Sequence, residues 1–191
     1  NNLETFAFIL PGILAQKIDD DWLEIQRMII EEAVNLVANR PVIATIALSA
    51  EALSDDSQIA RLIEESDNWN PNGYYLVFEH PKGMYLVDDP IWLTNVLDLV
   101  ASLKMQGRIT IVGYCNHQML ILAAAKADYI ASGTWMNVRS FPPDKFRTAY
   151  DDEIKQRATC PMPSLEPIRG NTSFLGSSKT PKRCSYQSAM A

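Results

Sequence analysis

The sequence predicts an α/β fold with a parallel sheet. Three observations carry this. Short apolar runs such as VIATIALS (42–49) lack polar alternation, which marks strands buried on both faces. Each run is followed by a segment with helical periodicity. No tight hairpin signal joins one run to the next, so right-handed crossovers must connect parallel strands.

Taken in order, FAFIL (6–10) reads as a buried strand ended by Pro11-Gly12. The next segment, 19–40, reads as a helix. Asp19 to Asp21 offer a cap and suit the positive end of the dipole, and Pro41 ends it. Its expected core stripe is Trp22, Ile25, Ile29, Ala33, Leu36 and Val37. VIATIALS is the second strand. SAEALSDDSQIARLIEES (49–66) follows as a helical segment broken near Ser54. DNWNPNG (67–73) is a loop, and YYLVFEH (74–80) a third strand, ended by Pro81 and Gly83. The clearest helix is 88–107. Asp88 or Asp89 caps it, Pro90 sits in its first turn and Gly107 ends it. Leu93, Val96, Leu97, Val100 and Leu103 form its apolar face. RITIVGY (108–114) is a strand, QMLILAAAKA (118–127) a short helix and DYIASGT (128–134) a strand. PPDKFRTAYDDEIKQRA (142–158) has helical composition. Met28, Met105 and Met119 lie on helical faces and are read as core.

The chain has 191 residues, 47% hydrophobic and 21% charged, enough for one core but short of the roughly 250 of an eight-unit barrel. A parallel α/β domain over 1–157 is expected, followed by a loosely attached tail, 158–191. That tail is rich in Ser and Pro and carries Arg169, Lys179, Lys182 and Arg183 against Glu166. The net charge of -6 does not suit a general nucleic-acid partner, which needs a basic face. Three scattered cysteines fit a reduced, cytoplasmic protein, and no apolar run reaches the ~20 residues of a membrane helix. Asn1 at the start suggests a piece of something longer.

Two architectures compete: an open doubly wound sheet and a closed barrel. No GxGxxG or P-loop follows any strand. Residues 109–139 favour the barrel. IVGYCNH, LAAAKAD and YIASGT resemble the last quarter of phosphate-binding TIM barrels: a strand ending in glycine, a short helix, GAD, an apolar strand and G[ST]. The resemblance implies the later part of such a barrel. It departs at Tyr114, where a second glycine is usual, and at Lys126, where GAD has its glycine. NVR (137–139) is also similar to the end of tRNA-guanine transglycosylase barrels, which handle nucleobases. That family's aspartate nucleophile and clustered zinc cysteines are absent.

Ligands of such folds bind at the C-terminal ends of the strands. The strand ends offer Pro11 and Gly12; Ser49 and Glu51; Glu79 and His80; Gly113 to His117; and Ser132 to Arg139. Both histidines of the chain fall at the ends of adjacent strands. Glu79, His80 and His117 are the candidate acid–base residues. Ser49, Gly113, Cys115, Asn116, Gly133, Thr134, Asn137 and Arg139 are the candidate ligand contacts, with Arg139 suited to an anion. Tyr114 and Trp135 could stack on a flat ligand. Cys115, His117 and His80 have donor types for zinc without a standard spacing, so a metal is only an outside possibility, and the sequence leaves the cofactor unknown. The expected function is a barrel-type enzyme acting on a small polar or anionic molecule. The alternatives are a nucleobase-handling barrel, and a binding or assembly protein that uses its sheet edge and basic tail. In the assembly case a second copy or a missing domain would cover the edge.

Overall fold

The computed structural model describes residues 6–37, 40–134, 139–141 and 143. They form a parallel α/β sheet, curled as a half barrel. The strands are β1 (Phe8–Ile9), β2 (Leu14–Ala15), β3 (Val42–Leu48), β4 (Gly73–Phe78), β5 (Ile109–Val112) and β6 (Tyr129–Ile130). The helices are α1 (Asp20–Leu36), α2 (Ala50–Leu53), α3 (Asp56–Asn68) and α4 (Pro90–Met105), with 3-10 segments at Pro81–Gly83 and His117–Ala123. The sheet order is β1-β3-β4-β5-β6, with β2 also on β3, and every pairing is parallel. Neighbours in space are neighbours in sequence, with no reversal of strand order.

The central register sorts the side chains. Ala44, Ile46 and Leu48 of β3 and Tyr74, Leu76 and Phe78 of β4 share a face. They join Leu62 of α3 and Trp92, Val96, Leu99 and Leu103 of α4 in one buried core. The opposite face carries Thr45, Ala47, Tyr75 and Val77 and lines an open cup. Caps set the helix starts. Asp19 accepts from Trp22 N–H, Ser49 from Ala52 N–H and Asp89 from Ile91 and Trp92 N–H. Gly107, at φ 77°, follows the C-cap of α4. Asp128 fixes the last crossover: Lys104 Nζ pairs with it at 2.7 Å and Thr110 N–H donates to it at 2.9 Å. Burial raises the Asp128 pKa, but the hydrogen bonds from Lys104 and Thr110 outweigh it and leave the group below its ordinary value.

The first strand differs from its expected form. FAFIL supplies only β1, and the chain pairs with β3 again as β2. Ile9 lies opposite Ile43 and Leu14 opposite Ala47, so one extra residue is accommodated around Pro11-Gly12. Gly12 passes so close to β3 that a Cβ there would lie 2.6 Å from Thr45 Cγ2. Side chains repair the interrupted ladder. Gln26 Nε2 donates to the Thr45 carbonyl (3.1 Å), and the Thr45 hydroxyl donates to the Leu10 carbonyl (2.5 Å).

That repair also moves the α1 face. Trp22, Leu23, Gln26 and Ile30 are buried, while Ile25 and Leu36, both expected in the core, are 42% and 74% exposed. Met28 and Met105 are also on the surface, at 59% and 82%, whereas Met119 is buried as expected. The expected helix at 118–127 is a 3-10 segment, and its buried Met119, Leu122 and Ala125 recur every three residues, the repeat of that helix. Residues 142–158, the tail and their boundary lie outside the described residues, apart from Pro143. Among the described residues no helix is long and apolar enough to cross a membrane.

If Gln26 completes the β3 ladder, Gln26→Leu should destabilise the fold although it adds apolar surface at a buried position. The expected loss is about 1–3 kcal/mol, the cost of an orphaned buried carbonyl. Urea unfolding followed by circular dichroism checks it; an unchanged midpoint would refute the assignment.

Candidate functional site

Beyond the C-terminal ends of β3, β4 and β5, polar side chains serve the helices and turns that follow, whose first N–H groups need acceptors. Ser49 is buried; it caps α2 and donates to the Gln16 carbonyl (3.2 Å). Glu79 turns its carboxylate to Ala50 N–H (3.1 Å), and its carbonyl takes Trp92 Nε1–H (3.0 Å). Asn116 is buried and caps the 3-10 segment through Gln118 and Met119 N–H, while its amide donates to the Tyr85 carbonyl. These side chains hold the rim together.

The two histidines differ in setting. His80 is buried, with its ring edge-on to Trp92 at 5.5 Å, and Nδ1–H donates to the Met84 carbonyl (3.0 Å). Burial pushes its pKa down against the opposing effect of the Met84 and Tyr85 backbone, so the ring is neutral. His117 is exposed and lies 5.8 Å from the Tyr85 ring. Glu79 and His80 therefore each have a structural partner, and no contact joins His80 to His117. Cys115 is buried, its Sγ directed at the Val112 carbonyl (3.4 Å), and burial pushes its thiol up to about 12. Burial that disfavours the thiolate makes Cys115 a poor nucleophile at neutral pH. Among the described residues no three His, Cys, Asp or Glu side chains gather as a metal site would require.

Arg139 closes on its own segment: Nε–H donates to the Gly133 carbonyl (2.9 Å) and Nη2 to the Thr134 carbonyl (3.5 Å). Asn137 and Trp135 lie outside the described residues.

The cup itself has a volume of about 370 Å³, within the range of small-molecule sites. Its walls are Leu14, Thr45, Ala47, Tyr75 and Val77, and its upper edge is Tyr114 with Phe141 and Pro143. Tyr114 has a left-handed backbone, φ 56°, and its ring meets Phe141 edge-on at 5.3 Å. Gly113 makes room for Tyr75: a Cβ at 113 would overlap the Tyr75 hydroxyl. Burial, then Tyr114 and Cys115 nearby, raise the Tyr75 pKa, so its phenol is protonated. Of the expected strand-end residues, Gly12 and Tyr114 reach this cup. Thr45, Tyr75 and Phe141 were missed because each reads as ordinary strand or loop; period-two alternation through Thr45, Ala47, Tyr75 and Val77 was the available signal.

A second cavity, about 380 Å³, lies between α3 and α4, with Ile59 and Ile91 in its walls. Its Asn95 and Asp56 satisfy each other at 2.8 Å, so it is a groove between packed helices rather than a convergent polar site.

No family model, curated protein or solved structure matches this chain.

Two outcomes follow. Iodoacetamide at pH 8 should alkylate Cys115 in the native protein slower than in urea by on the order of a hundredfold or more, read by peptide mass spectrometry; equal rates would contradict the buried thiol. His80 binds its proton less readily folded than unfolded. Its contribution to stability is therefore whole above the ordinary value of 6.5 and falls as pH drops below it. Melting curves between pH 7.5 and 5 should show a loss that His80→Gln lacks.

Proposed function

We propose that this chain holds a small molecule in the cup at the C-terminal ends of β3, β4 and β5, as the interior of a β/α barrel does. The observation that carries the reading is Tyr114. A non-glycine residue in the left-handed region costs about 1–3 kcal/mol and persists where the surroundings enforce it, commonly at a ligand site. Here the strained residue supplies an aromatic wall to the cup. The strand order supports the barrel part of the proposal, because an open doubly wound sheet reverses its order at a switch point and this sheet does not. Glu79 and His80 are left out of the chemistry, since both are engaged in the fold. His117 is the accessible imidazole of the rim and the candidate for proton transfer.

A second reading, an assembly module, is favoured by the sheet edges, where Phe8, Ile9 and Tyr129 are 40%, 57% and 62% exposed. Light scattering separates the two: assembly requires a concentration-dependent mass above that of one chain.

Fragment screening by two-dimensional NMR tests the cup. Hits should shift Thr45, Tyr75 and Tyr114 amides. Tyr114→Gly should keep or raise the melting temperature while weakening those hits about tenfold, because it relieves strain and removes a wall. Hits confined to the α3–α4 groove, or unaffected by Tyr114→Gly, would overturn the proposal.

A further inference from the structure

We infer that the cup selects an uncharged, flat ligand bearing a hydrogen-bond acceptor, and that Tyr75 sets this preference. The inference rests on the cup reading above and adds the class of ligand.

Charge comes first. None of the described lining residues is Lys, Arg, His, Asp or Glu. Arg139, the basis for expecting an anion, spends Nε and Nη2 on the Gly133 and Thr134 carbonyls. A charged ligand here would lose water and meet no opposite charge, a cost that a neutral ligand avoids.

Shape comes from the aromatic walls. Tyr114 and Phe141 meet at 65°, and Tyr75 stands on the neighbouring strand. Such rings favour a flat partner by stacking and edge contacts. Val77 and Leu14 add apolar surface.

The polar preference comes from hydroxyls. The Thr45 hydroxyl donates to the Leu10 carbonyl. The Tyr75 hydroxyl meets no hydrogen-bond partner among the described residues and keeps its proton at neutral pH. It is thus a donor in search of an acceptor. Beside it, just past β5, is Gly113, where any side chain would collide with that hydroxyl, so the sequence preserves the donor's space.

Four one-ring probes test this by NMR titration of the full chain: benzamide, fluorobenzene, benzoate and benzylamine. Benzamide should bind about three- to tenfold tighter than fluorobenzene, the value of one hydrogen bond, and at least about tenfold tighter than the two charged probes. Tyr75→Phe, which keeps the ring, should remove benzamide's advantage and leave fluorobenzene unchanged. Gly113→Ala should do the same by displacing the hydroxyl, and serves if Tyr75→Phe does not fold. Benzoate or benzylamine binding as well as benzamide would overturn the ligand class while the cup reading stands. An undiminished benzamide preference in the folded variant would overturn the role of Tyr75. Absence of binding by all four probes would overturn both the inference and the cup.

Discussion

The structure depends on the parallel ladder between β3 and β4. Six residue pairs, Ile43 with Gly73 through Leu48 with Phe78, run in register at the centre of the sheet. A parallel ladder sends alternate side chains to opposite faces and requires each connection to cross over. With the strands in chain order, right-handed crossovers put the helices on one face. That face takes Ile46, Leu48, Leu76 and Phe78 and packs them against Trp92 and Leu99. Among the described residues the other face receives no crossover helix, and Thr45, Ala47, Tyr75 and Val77 line a cup there. The core and the candidate site are two sides of one register. A slip of one residue would bury Tyr75 among the helices and turn Leu76 into the cup.

The same ladder explains why the rim is polar. A helix or 3-10 segment follows β3, β4 and β5, starting at Ala50, Pro81 and His117, and its first N–H groups need acceptors. Ser49, Glu79, Asp89 and Asn116 supply the acceptors. Capping and ligand binding draw on the same residue types at the same places. An acid or amide at a strand end is therefore ambiguous until its hydrogen bonds are known, and here they terminate on the protein's own backbone. The cup is lined instead by side chains farther inside the strands, where the Tyr75 phenol has no backbone amide to satisfy.

This ambiguity sets how far the sequence could be read. The buried β3 and β4 were legible from unbroken apolar runs, and α4 from its Asp89, Pro90 and Gly107 punctuation, whereas the equally apolar FAFIL, read as buried, forms the exposed edge strand β1. The break at Ser54 was legible because Ser and Asp clusters favour caps. The α1 face was not: Gln26 is buried for a hydrogen bond to a carbonyl that only the Gly12 approach leaves open, a fact outside any helical period. β2 was hidden because Pro11-Gly12 reads as an end, although the chain resumes pairing beyond it. The 3-10 segment was hidden because its apolar content is that of a helix and only its three-residue spacing differs. Of the site, the region was legible and the residues largely were not. Glu79, His80 and Cys115 have the right chemistry in isolation, and in the fold each also makes a hydrogen bond to backbone.

Tyr114 is the converse case, a residue whose backbone rather than whose chemistry marks it. By sequence it is a departure, an aromatic residue where phosphate-binding barrels carry glycine. The backbone there has the left-handed φ that a glycine would adopt freely. The turn thus keeps the conformation while the sequence forgoes the residue that costs least in it. Relaxing the strain by any substitution to glycine would remove the ring that meets Phe141 and closes the cup above Tyr75. The left-handed turn at Tyr114 thus carries a ring where a glycine would leave bare backbone, and that ring stands over the uncharged described side chains of the cup.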